Sequence, residues 1–121
     1  MPVVSGASAT IRRLAKAVVE MLADALDAYI RRDLKLAEDV RRRDKDIDQM
    51  YNSIFREFLT HMMEDPRNIG PCMHLHFIAK NIERVGDHAT SVAEQVIYLV
   101  TGAVHLDERP KFDATGSEAG A

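Results

Sequence analysis

Glycine and proline are placed in this 121-residue chain so that long stretches run without a backbone breaker, and that placement constrains the fold most. Of six glycines only Gly86 lies deep inside a patterned stretch; the four prolines, Pro2, Pro66, Pro71 and Pro110, fall near the ends or in one short gap. An all-β chain needs turn residues every 8 to 12 positions or so, and this one lacks them. What remains is helix.

Three apolar stripes have helical spacing. The first starts after Ser8 or Thr10, both acceptable N-caps, and runs through Ile11, Leu14, Val18, Met21, Leu22, Ala25, Leu26 and Tyr29 until Arg31-Arg32-Asp33 interrupts it. The second carries Leu34, Ala37, Val40, Ile47, Met50, Tyr51, Ile54, Phe55, Phe58, Leu59 and Met62, and Pro66 stops it. The third follows Pro71 and carries Leu75, Ile78, Ala79, Ile82, Val85, Ala89, Val92, Ala93, Val96 and Val100, with Gly102 as its C-cap. Short connections make neighbouring helices antiparallel. The expected fold is all-α, an antiparallel three-helix bundle over residues 9–103, with an N-terminal extension at 1–8 and a disordered tail at 104–121. Helices two and three should be the longest, giving a rod with much exposed side surface.

Sixteen Lys and Arg against nineteen Asp and Glu leave a formal charge of −3, with no basic excess to neutralise a phosphate backbone; nucleic-acid binding is disfavoured. The single cysteine, Cys72, cannot form an internal disulfide. The first residues have neither the charge nor the apolar run of a signal peptide, and no stretch of 18 apolar residues occurs. A cytoplasmic protein is expected.

The carboxylates hold the most chemistry. On a wheel of about 100° per residue, Asp44 falls inside the apolar stripe of the second helix and Asp48 at its edge. Desolvating an unpaired carboxylate costs several kcal/mol, so both need a cation. On the third helix Glu83 and Asp87 repeat the four-residue spacing, roughly 120 to 160° from the apolar centre, which puts them on the surface or in a side groove with His76 and Glu94. With the turn centred between Pro66 and Asn68, antiparallel residues at one height have numbers summing to about 135. Asp48 then lies level with Asp87, and Asn52 with Glu83.

Two readings of this cluster stand side by side. In one, Glu83 pairs with Lys80 or Arg84 and Asp44 with Arg41 or Arg43, as ordinary ion pairs. In the other, oxygen ligands from two helices hold Mg²⁺, Ca²⁺, Mn²⁺ or ferric iron, and His76 or His88 would admit Zn²⁺. Glu20 and Asp24 share the spacing but lie opposite Val18, Leu22 and Ala25, so solvent is their expected environment. Gly86 reads either as close packing or as backbone opened to a ligand. The histidines include no Glu-x-x-His of the di-iron type, Arg41-Arg42-Arg43 is balanced by nearby aspartates, and the methionines at helical spacing belong to the core. No catalytic constellation is present in the sequence.

Asp44-Lys45-Asp46-Ile47-Asp48-Gln49-Met50-Tyr51 and Ile78-Ala79-Lys80-Asn81-Ile82-Glu83-Arg84-Val85-Gly86-Asp87-His88-Ala89 resemble the two signature segments of the PhoU family, the phosphate-uptake regulators of bacteria and archaea. The resemblance extends from about Leu14 to Gly102. It implies a three-helix repeat in which acidic pairs on two helices bind multinuclear metal clusters. Carried over by motif position, the metal ligands would be Asp44 and Asp48 in one pair and Glu83 and Asp87 in the other, with iron, zinc, magnesium or manganese as the metal. Family members carry two tandem repeats. This chain has one, most similar to the second, C-terminal one, so it reads as a truncated chain or a product started at an internal Met, with an apolar flank that another copy would cover in a homodimer.

The resemblance further implies a non-catalytic regulator of phosphate homeostasis. It would contact the phosphate-specific ABC transporter ATPase and the associated sensor histidine kinase, reach the membrane only through them, and repress the phosphate-starvation response. The alternatives are a carboxylate-metal hydrolase or oxidase, and a metal-free helical interaction module.

Overall fold

The computed structural model describes residues 2–102, and all the regular structure among them is helical. Helix α1 spans Pro2–Arg31, α2 Leu34–Glu64 and α3 Ile69–Thr101, with a 3₁₀ turn at Pro66–Asn68. The helices are 30, 31 and 33 residues long, roughly 45 to 50 Å each. They run up, down and up, and each packs against the other two. The expected bundle is the observed one, and its tail at 104–121 lies outside the described residues.

The boundaries follow local chemistry. α1 ends at Arg31 because Arg32 turns left-handed, at φ 54°, and Asp33 becomes the N-cap of α2, its carboxylate accepting from the Leu36 N–H at 3.1 Å. α2 ends ahead of Pro66, and the Asp65 carboxylate caps the 3₁₀ turn by accepting from the Arg67 N–H. α3 starts at Ile69, two residues before Pro71, which its first turn accommodates because that turn has no intrahelical acceptor for the missing N–H. Gly102 closes α3 in the left-handed conformation at φ 74°, its N–H donating to Tyr98 O at 2.7 Å.

One boundary differs from expectation. Residues 2–8 are the first turns of α1, not an extension. Thr10, one of the expected caps, sits inside the helix and donates its hydroxyl to Gly6 O, the back-bonding that lets threonine live in a helix interior. Ala7 is already part of the core.

The core is a long seam: Leu14, Val18 and Met21 from α1, Val40, Ile47, Ile54 and Phe58 from α2, and Cys72, Ala79, Ala89, Ala93, Val96 and Ile97 from α3. α3 contributes mostly small residues. A Cβ added at Gly86 would lie 3.4 Å from Val18 Cγ2 and 3.5 Å from Ile47 Cγ2, so one position touches both other helices. Of the two readings of Gly86, close packing is the one this geometry supports.

Candidate functional site

The α2–α3 seam gathers the carboxylates that the sequence singled out. Two cross-helix contacts set its register. Thr90 Oγ1 lies 3.1 Å from Asp44 Oδ1, and Arg41 Nε lies 3.5 Å from Glu94 Oε2. The paired numbers sum to 134 and 135, the expected register, so Asp48 and Asp87 stand at a common height.

Asp44 is 2% exposed, as its place in the apolar stripe required. The Thr90 hydroxyl is also 3.1 Å from the Gly86 carbonyl, so its one proton is shared between that carbonyl and the carboxylate. Asp48 and Asp87 are partly exposed along the seam. Glu83 corrects an expectation. It is 3% exposed, not on the surface or in a groove, and its Oε1 lies 3.2 Å from Lys80 Nζ, an ion pair one helical turn away.

The reason lies in α3. The wheel placed its apolar centre by the large side chains, yet Ile78, Val85 and Leu99 are exposed while Ala79, Gly86, Ala89 and Ala93 face the core. Glu83 and Thr90 sit in the small-residue row and go inside with it. Close helix approach, which large residues prevent, decided the orientation.

Below Glu83 the seam turns aromatic. The His76 ring packs on Phe55 at 5.4 Å and on Tyr51 and Phe77 at 6.1 Å between centroids, with a buried Nδ1 that meets no hydrogen-bonding atom among the described residues. Lys80 Nζ stands 5.5 Å from the Tyr51 ring centre. Burial pushes the Tyr51 hydroxyl above its usual range; Lys80 opposes this and Glu83 adds to it.

Basic neighbours distribute differently from the simplest ion-pair reading. Arg43 joins α2 to α1, donating to Asp24 at 2.6 Å and to Asp39 at 2.7 Å. Burial works to lower its pKa, but the two carboxylates outweigh burial and raise it. Lys80 takes Glu83 as that reading expected. Sequence reasoning noted Glu94 on the stripe and gave it no role; the structure makes it the acceptor that ties α3 to Arg41.

The four carboxylates supply hard oxygen donors, the right type for a hard cation. Their placement is less suited: among the described residues no three His, Cys, Asp or Glu side chains converge closely enough to hold a metal ion. No helix among the described residues is long and apolar enough to cross a membrane.

A family model for the PhoU domain matches residues 11–96. A phosphate-specific transport system accessory protein PhoU homolog of Rhizobium meliloti is 52% identical over 107 residues, 88% of this chain and 45% of that protein. Its counterpart in Caulobacter vibrioides is 50% identical over 109 residues, 90% of this chain and 47% of that one. The crystal structure of PhoU from Pseudomonas aeruginosa superposes with a TM-score of 0.74 at 43% identity, over 76% of this chain and 44% of that one. The chain thus spans about half the length of the curated relatives it matches. The match covers all three helices and both acidic segments of the α2–α3 seam; this chain belongs to the PhoU family.

Proposed function

We propose that this chain acts in phosphate homeostasis as a non-catalytic, cytoplasmic regulator, corresponding to the C-terminal repeat of its longer relatives. In this reading it contacts the ATPase of the phosphate-specific ABC transporter and the associated sensor histidine kinase, and holds the phosphate-starvation response down when phosphate is plentiful. The observation that carries the reading is identity of 52% to a protein named as an accessory of phosphate-specific transport, spread across 88% of the chain rather than confined to a motif. The test is a phosphate-starvation reporter in a bacterium deleted for its own PhoU. Expression of this chain restores repression at high phosphate; a reporter that stays on while the chain is present and folded overturns the proposal.

Metal binding is a separable part of it. Asp44, Asp48, Glu83 and Asp87 offer oxygen donors from two helices, with Asp48 and Asp87 at one height, and iron, zinc, magnesium and manganese are the candidate metals. Such ions would supply positive charge along a seam lined by carboxylates. The rival reading is a metal-free interaction module. It is favoured by the Lys80–Glu83 ion pair and by the lack of a converging set of three ligands among the described residues. Elemental analysis after dialysis separates them: bound metal lost in the Asp48→Asn, Asp87→Asn double variant supports the site, and no metal in the parent protein overturns it.

A further inference from the structure

Glu83 departs from a four-carboxylate metal site. Such a site needs it beside Asp48 and Asp87, yet among the described residues no three ligands of this kind converge. Its Oε1 lies instead 3.2 Å from Lys80 Nζ. The Glu83 side chain is 4% exposed and that of Lys80 45%, so a buried carboxylate is held by an ammonium that stands half in solvent.

Position along the seam accounts for this. In the register fixed by the Thr90–Asp44 and Arg41–Glu94 contacts, Glu83 stands level with Tyr51 and Asn52, about one turn below Asp48 and Asp87. Lys80 stands level with Phe55, about one turn lower again. Glu83 therefore has a cation one turn toward the N-terminus of α3 and the Asp87 carboxylate one turn toward its C-terminus. Helical side chains lean toward the N-terminus, which favours the Lys80 side. A carboxylate this deeply buried needs positive charge, and Lys80 supplies it. The ammonium also has a second seat: Nζ stands 5.5 Å from the Tyr51 ring centre, and an aromatic face attracts a cation.

We propose that Lys80 is the resident counter-ion of Glu83, and that Glu83 joins Asp48 and Asp87 in holding a divalent metal ion only by exchanging Lys80 for it. The inference rests on the metal reading above. An ammonium and a divalent cation repel each other at the few ångströms that separate two partners of one carboxylate, so Glu83 serves one or the other. On exchange Glu83 turns up the seam toward Asp87, and Lys80 withdraws over the Tyr51 ring or into water. Both moves are changes of side-chain rotamer and leave the helices in place. Lys80 thereby sets a threshold: a low concentration of metal leaves it on Glu83, and a higher one displaces it. It also selects by charge, since a monovalent ion offers Glu83 no more charge than Lys80 already does.

The test titrates the whole chain with Mn²⁺, counting free ion by electron paramagnetic resonance and following thermal unfolding by circular dichroism. Lys80→Met keeps the apolar stem and removes the charge. It binds Mn²⁺ about tenfold more tightly than the parent protein, unfolds at a lower temperature without metal, and gains more from saturating Mn²⁺. If it fails to fold, Lys80→Gln replaces it. Lys80→Arg, which keeps the charge, behaves as the parent does. Adding Glu83→Gln to Lys80→Met restores the metal-free stability, because the buried charge is gone, and abolishes the gain in affinity. Equal Mn²⁺ affinity in the parent and in Lys80→Met overturns the inference while the metal site stands. Tight binding that survives Glu83→Gln overturns exchange at Glu83. Uptake by neither protein overturns the metal reading, and this inference with it.

Discussion

Replacing Gly86 by alanine separates packing from function at the centre of the signature segment. Glycine in a helix interior costs about 1 kcal/mol relative to alanine, through backbone entropy that folding must remove. The added methyl finds Val18 Cγ2 at 3.4 Å and Ile47 Cγ2 at 3.5 Å. These are ordinary van der Waals distances, so nothing has to move, and burial of the methyl adds to the gain. Gly86→Ala should therefore stabilise the bundle by about 1 kcal/mol, raising the midpoint of thermal unfolding by about 4–8 °C for a domain of this size. Gly86→Leu, which drives three more carbons into the same gap, should destabilise it by about 1–3 kcal/mol. Calorimetry with urea unfolding followed by circular dichroism reads both. A loss of stability in Gly86→Ala would refute the reasoning, because it would mean the helices require a closer approach than the structure shows. If the alanine variant is stabilised yet fails to repress a phosphate reporter, the backbone at Gly86 has a role besides packing.

Thr90→Val keeps the shape of the side chain and removes the hydroxyl at Asp44 Oδ1; a hydrogen bond to a buried carboxylate is worth about 1–3 kcal/mol, and Thr90→Ser, which retains it, should recover most of that loss in urea unfolding. Asp65 sets an acid limb. The Arg67 side chain, then its backbone N–H, holds this carboxyl below its ordinary 3.8. Its stabilising effect is therefore complete above the ordinary aspartate range and is lost as pH falls through the lowered folded-state value. Asp65→Asn should flatten the dependence of stability on pH below about pH 4, and an unchanged slope would count against the contact.

How much of this was legible in the sequence depends on what each residue competes with. The breaks at Arg31 to Asp33 and at Pro66, and the cap at Gly102, were legible because charge, ring closure and left-handed geometry act locally. The burial of Asp44 was legible because large residues on both sides of it in α2 fix which face goes inward, and the register followed from the short turn. Glu83 was not. Its burial depends on α3 turning a row of alanines and Gly86 toward the core, and a hydrophobic wheel gives such residues little weight. Whether small residues face inward is settled by the partner helices, which no single stretch of sequence describes. The early start of α1 was hidden for a related reason, since Ser8 and Thr10 suit both a cap and a helix interior, and the burial of Ala7 favours the interior.

The same feature that misled the wheel explains how the bundle divides its surface. If large residues drove the packing of α3, then Ile78, Val85 and Leu99 would lie inside, and Glu83 and Thr90 would face water. Turning the small row inward instead brings the three helix axes together at Gly86 and carries two polar side chains into the interior, where Lys80 and Asp44 meet them. It also leaves the large row on the far side of α3, beside the exposed Val19, Leu26 and Ile30 of α1. The polar seam and the apolar face are thus two consequences of one rotation of α3. They lie on opposite sides of the α1–α3 layer, so substitutions on the open face leave the geometry of the carboxylate seam in place. A folded Val19→Glu variant that still represses a phosphate reporter would place regulation on the seam; loss of repression with the fold unchanged would place it on the open face.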